Sequence, residues 1–106
     1  MFGDLSRVRK RYLLIRVYPR EVDVTPAELK RTIVDELLGL GGLLSLAESD
    51  ISVKRTRLQG GEYILRCGLR SLPVVLLSTA MVRQLGGKKA RLDIVKISGT
   101  LKGLTS

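Results

Sequence analysis

Histidine and asparagine are absent from the 106 residues, cysteine occurs once, and only four side chains are aromatic. Without histidine there is no Ser-His-Asp triad, no Cys-His pair and no imidazole metal site. A lone Cys67 cannot close an intramolecular disulfide or build a thiolate zinc cluster. With Leu65 and Leu69 on the same strand face, it is expected to be a buried structural thiol. Acids are scarce and scattered: Asp35 and Glu36 diverge by about 100° on a helix, and Glu48 and Asp50 fall in a loop. A two-metal nuclease needs converging carboxylates, and no such constellation stands out. Long apolar runs are missing too. The longest, Leu72 to Val82, contains Ser78 and Thr79, is flanked by Arg70 and Arg83, and is too short to span a bilayer, so it reads as a core helix. No apolar segment precedes the basic run at Arg7, so no secretory signal is expected and the default location is the cytoplasm. The scarcity of amides hints at a thermophilic source.

Positive charge is abundant. Nineteen Lys and Arg face ten Asp and Glu, an excess of +9, and the pI is near 10.3. Apolar residues make up 44% of the chain, so this is a folding sequence and not a basic disordered tail. Its length allows one domain, residues 1–106, that buries about 65% of its unfolded surface. A strongly basic single domain without catalytic side chains points to a polyanionic partner, with nucleic acid foremost.

Local patterns give the order strand, helix, strand, strand, helix, strand. Arg11 to Tyr18 is rich in β-branched and aromatic residues and stops at Pro19. Leu13, Ile15 and Val17 fall on one face; Tyr12, Leu14, Arg16 and Tyr18 fall on the other. Thr25-Pro26-Ala27-Glu28 is a capping box with proline at the first helical position. Leu29, Ile33 and Leu37 then recur at i+4, so a helix runs to about Gly39, with a further short turn expected at Leu43 to Ala47. Ile51 to Leu58 and Glu62 to Leu69 read as two strands around a Gln59-Gly60-Gly61 turn. Ser71 is expected to cap a helix from Leu72 to Leu85, ended by Gly86-Gly87. Ala90 to Ser98 is the last strand, and the tail 99–106 has no periodic signal.

This order predicts an α+β fold, a ferredoxin-like or RRM-like two-layer sandwich of βαββαβ topology. Its four-stranded antiparallel sheet carries two main helices on one face. The other face would display Tyr12, Leu14, Arg16, Tyr18, Lys54, Ile64 and Arg66. Strict alternation puts Leu92 and Ile94 on one face of the last strand and Val95 and Ile97 on the other, which makes that strand apolar on both sides. A solvated face should be polar, so Leu14, Ile64, Leu92 and Ile94 are read as a protein interface. The competing reading is that the tail folds back over the patch.

Four cations, Arg7, Arg9, Lys10 and Arg11, crowd into the first eleven residues and lead into Tyr12. Residues 1–10 therefore read as a basic arm suited to a phosphate backbone. Lys54, Arg55 and Arg57 alternate between strand faces, and Lys54 with Arg66 is the favoured pair for a nucleic-acid contact. The third strand lacks an RNP1 pattern, so the sheet is a poor platform for stacking unpaired bases; shape and phosphate recognition suit it better. Arg16 joins this set of candidate RNA contacts.

Arg11-Tyr12-Leu13-Leu14, Leu65-Arg66-Cys67 and Ile97-Ser98-Gly99-Thr100-Leu101, in that order and spacing, resemble the archaeal ribonuclease P protein component 2 family. Its eukaryotic counterparts are shared with the mitochondrial-RNA-processing ribonuclease. The resemblance runs from about Arg9 to Leu101. It implies a non-catalytic subunit of a ribonucleoprotein that removes the 5′ leader from precursor tRNA. It further implies that the RNA holds the Mg2+ ions and performs the hydrolysis, with no cofactor in this chain. The implied partners are ribonuclease P RNA, ribonuclease P protein component 3, other ribonuclease P proteins and, indirectly, precursor tRNA, with no membrane contact. Many relatives continue beyond the Ser-Gly-Thr motif into a further helix, whereas this chain ends at Ser106. The alternatives are another small basic RNA-binding domain, ribosomal or translation-associated, and a ligand-sensing ferredoxin-like regulatory domain.

Overall fold

The computed structural model describes residues 9–40, 51–56 and 61–105. Strand β1 spans Lys10–Tyr18 and helix α1 Pro26–Gly39. Strands β2, Ser52–Arg55, and β3, Glu62–Gly68, follow. A 3-10 turn at Leu69–Ser71 leads into α2, Leu72–Met81. Short strands β4, Gln84–Leu85, and β5, Lys88–Lys89, precede β6, Arg91–Ser98, and α3, Leu101–Thr105. Strands β2, β3, β1 and β6 form one antiparallel sheet in that order. This is the ferredoxin-like plait that the element order predicts.

The Thr25 box forms as expected. Its hydroxyl accepts from the Glu28 backbone N–H at 3.1 Å, and the Glu28 carboxylate accepts from the Thr25 N–H at 3.3 Å. Two orphan donors at the head of α1 are thereby satisfied. Leu29, Ile33 and Leu37 are fully buried against Leu13, Ile15 and Val17 of β1 and Tyr63, Leu65 and Cys67 of β3. Helix α2 buries Val75, and also Ser78 and Thr79. Their hydroxyls donate to the carbonyls of Val74 and Leu76 at 2.9 and 2.8 Å, so neither enters the core unpaired.

Four expectations need correction. Helix α2 stops at Met81 and not at Leu85, because Val82 is extended and Gly86-Gly87 makes a hairpin turn. Gly86 and Gly87 have φ of 57° and 79°, the positive pair that a two-residue type I′ turn demands. Ser71 does not cap α2: it is already helical in backbone and makes no capping bond. The tail is not featureless either. The Thr100 hydroxyl accepts from the Gly103 N–H at 3.0 Å, and α3 packs on β1 and β6 with Leu104 buried. A Cβ on Gly103 would meet the Ser98 hydroxyl, so α3 approaches β6 closely here and a larger residue would force Ser98 to shift.

The fourth correction concerns β6. Ile15 lies opposite Ile94 while Leu14 lies opposite Lys96, so Val95 is an extra, unpaired residue. This β-bulge resets the alternation. Leu92, Ile94 and Ile97 all oppose the inward residues Val17, Ile15 and Leu13. Leu92 is buried in the core and Ile94 packs against it, so neither belongs to a surface on the open face of the sheet. The expected turns around Leu43 to Ala47 and Gln59-Gly60 lie outside the described residues, as do Glu48, Asp50 and Arg57.

Candidate nucleic-acid interface

The register arranges the open face of the sheet in rows. Ser52, Arg66, Tyr12 and Ser98 lie side by side across the four strands. The next row is Lys54, Ile64, Leu14 and Lys96. Glu62, Arg16 and Asp93 form a third, and Tyr18 pairs with Arg91 at the far end. Of the apolar residues expected here, only Leu14 and Ile64 are present. They are direct neighbours and each is half-buried. Helix α3 packs on β1 and β6 with Gly103 beside Ser98, at the end of the first row, so the tail does fold back onto the sheet.

The rows differ in charge. Glu62 is buried and draws in Arg16, whose Nη2 and Nε donate to one carboxylate oxygen at 2.7 and 3.2 Å. Asp93 accepts from Arg91 at 3.2 Å. The third row is therefore internally compensated, and Arg16 is engaged within the sheet. The first two rows contain no acid. Lys54 and Arg66 are exposed there, with Tyr12 half-buried beside Arg66. The predicted split along β2 also holds in space. Arg55 turns the other way, donating to the Val24 carbonyl at 2.7 Å and to Asp23 at 3.1 Å while lying 5.5 Å from the Tyr63 ring centre.

The N-terminal cations do not act as one unit. Arg7 lies outside the described residues. Arg9 is exposed, but its carbonyl accepts from the Leu69 N–H at 2.7 Å, which ties it to the end of β3. Lys10 and Arg11 are the first residues of β1 and point to opposite faces. Arg11 donates to the Lys10 carbonyl and lies against Gly99. Lys10 thus adds to the cationic end of the open face and Arg11 does not.

A second basic surface went unnoticed in the sequence. Tyr18, Pro19, Arg83, Lys89, Ala90 and Arg91 line a cleft of about 460 Å3. These residues come from three separate stretches: the β1–β6 pairing sets Tyr18 beside Arg91, and the Gly86-Gly87 hairpin brings Arg83 to Lys89 and Ala90. Lys88-Lys89 so close to Arg83 was the available signal. Among the described residues no three acidic or cysteine side chains gather as a metal site would require, and no helix is long and apolar enough to cross a membrane.

A ferredoxin-like plait whose open face ends in cations, with its described carboxylates dispersed, has the outline of a nucleic-acid-associated framework domain. The Rpp14/Pop5 family model matches residues 11–106, and the chain belongs to that family. Ribonuclease P protein component 2 of Methanosarcina mazei is 26% identical over 100 residues, covering 93% of this chain and 83% of that protein. A chain in the cryo-EM structure of yeast ribonuclease MRP superimposes with a TM-score of 0.63, covering 88% of this chain and 76% of its own. At 10% identity, that likeness is one of fold.

Proposed function

We infer that this chain is a protein subunit of a ribonuclease P ribonucleoprotein, binding and supporting the RNA that removes the 5′ leader from precursor tRNA. Membership of the Rpp14/Pop5 family across residues 11–106 is the observation that carries this reading. The chemistry of the surface supports it. Lys10, Lys54 and Arg66 form the cationic end of the open face, with Tyr12 among them, and Arg7 and Arg9 precede it in the chain. Cations placed in this way contact phosphates, displace condensed counterions and fix the protein on RNA without reading its sequence. Arg16 acts mainly within the sheet, through Glu62.

The Mg2+ ions and the hydrolytic step belong to the RNA in this account, and this chain contributes position and charge. Leu14 and Ile64, adjacent in the middle of the open face, form the contact for a protein partner, ribonuclease P protein component 3. Because each is already half-buried, covering the remainder recovers about 1 kcal/mol per side chain on a partner surface. The assembly works in the cytoplasm. Affinity purification of the tagged protein from its host, followed by sequencing of the bound RNA, tests the reading. Enrichment of ribonuclease P RNA and precursor tRNA is expected; enrichment of ribosomal RNA alone would overturn it in favour of a ribosomal role.

A further inference from the structure

We propose that the cleft between the end of β1, the start of β6 and the β4–β5 hairpin holds one unpaired nucleotide of an RNA strand. The base lies against Tyr18, and its flanking phosphates meet Arg83 and Lys89. The inference rests on the RNA-binding part of the reading above and adds a contact that the open face does not supply. Tyr12 and Tyr18 are six residues apart on β1, about 20 Å at strand rise. The cleft and the Arg66 end of the sheet are therefore separate contacts near opposite ends of β1.

Tyr18 is 52% exposed although it is one of only three tyrosines. The Arg91 guanidinium carbon lies 4.5 Å from its ring centre, and Arg91 is itself anchored on Asp93 at 3.2 Å. One ring face is thus covered by the Arg91 guanidinium, whose charge is balanced by Asp93, while much of the side chain remains open to solvent. Pro19 and the buried Ala90 supply apolar walls. Arg83 and Lys89 are exposed at the rim and make no ion pair among the described residues.

The hairpin holds these two cations in place. Ala90 N–H donates to the Arg83 carbonyl at 2.9 Å, and Gln84 pairs with Lys89. Among the described residues no acid lines the cleft, and the nearby Asp93 is taken up by Arg91. An aromatic ring, apolar walls and rim cations match a nucleotide, which offers a flat π surface and negative phosphates together. A duplex keeps its bases stacked and has none to offer the ring. An acidic peptide matches the cations but not the ring.

The test uses the full chain and a short single-stranded oligoadenylate, with binding followed by fluorescence anisotropy across a salt series. Tyr18→Ala is expected to weaken binding by about tenfold, within a range of roughly 5- to 100-fold. Tyr18→Phe is expected to bind like the parent. Arg83→Gln with Lys89→Gln should flatten the log–log salt slope by about 1.4, two contacts at ~0.7 each. A blunt duplex of matching sequence should show no dependence on Tyr18. Arg83→Gln alters an exposed side chain and serves as the second probe should Tyr18→Ala unfold.

Parental affinity for oligoadenylate in Tyr18→Ala and in the double glutamine variant would overturn the proposal. So would stronger binding of a polyglutamate peptide that also depends on Tyr18. A parallel titration with ribonuclease P RNA separates the two readings. If the parent binds that RNA while the Tyr18 variants bind oligoadenylate normally, the cleft proposal alone falls. Failure of the parent to bind that RNA contradicts the subunit reading itself.

Discussion

Replacing Arg16 by methionine separates a structural role for this cation from a role in holding RNA. Its guanidinium places two N–H groups on a single Glu62 oxygen, at 2.7 and 3.2 Å. The Glu62 side chain is only 8% exposed, so methionine leaves a buried carboxylate without its partner. Hydrogen bonds to a charged group contribute about 1.5–3 kcal/mol. Arg16 is 41% exposed, so water screens part of the interaction and the expected cost is about 2 kcal/mol. For a domain near 100 residues this lowers Tm by roughly 8–16 °C. Glu62→Gln should also destabilise, and the double variant should recover part of the loss, with a coupling of about 1 kcal/mol or more in the cycle. Thermal and urea unfolding measure the stability terms, and an RNA titration across salt measures the rest. A Tm within a degree or two of the parent, together with a salt slope reduced by about 0.7, would refute the reasoning and make Arg16 a phosphate ligand.

Other consequences follow from the same geometry. Lys54→Gln with Arg66→Gln should weaken RNA binding and lower the salt slope by about 1.4, with thermal midpoints little changed because both side chains are exposed; an unaltered slope would reduce them to solvated surface. Leu14→Lys with Ile64→Lys should leave the isolated protein folded yet abolish capture of component 3 in a pull-down. Full-strength capture would move the interface to the helices. Tyr63→Phe should cost about 1–2 kcal/mol, since the buried hydroxyl donates to the Val24 carbonyl at 2.6 Å and accepts from the Val24 N–H. An unchanged urea midpoint would mean that the Arg55 contact to the same carbonyl suffices.

Much of the architecture was legible because it depends on local signals. The alternation in β1, the Thr25 capping box and the i+4 run of Leu29, Ile33 and Leu37 each determine an element from within. The errors arose where a partner strand decides. Val95 is an ordinary strand residue until Ile15 and Leu14 pair on either side of it, and the resulting bulge sets exposed Ile97 opposite inward Leu13 and Lys96 on the open face. Leu92 and Ile94 leave the proposed interface because they pair with inward Val17 and Ile15. Gly86-Gly87 stops a helix or turns a hairpin equally well by composition, and Leu85, buried at the hairpin, settles it only in three dimensions. Arg16 looked like a surface cation because its acid lies forty-six residues away. The Tyr18 cleft is assembled from three stretches, beyond the reach of any sequence window.

The central claim is that this chain supports an RNA catalyst. Its most direct test is an omission experiment: precursor tRNA cleavage by ribonuclease P RNA reconstituted with its partner proteins, with and without this chain. The protein alone is expected to leave the precursor intact in Mg2+, and adding it to the otherwise complete assembly is expected to raise cleavage at the mature 5′ end. Accurate cleavage by the RNA-free protein, or equal rates in its presence and absence, would contradict the account.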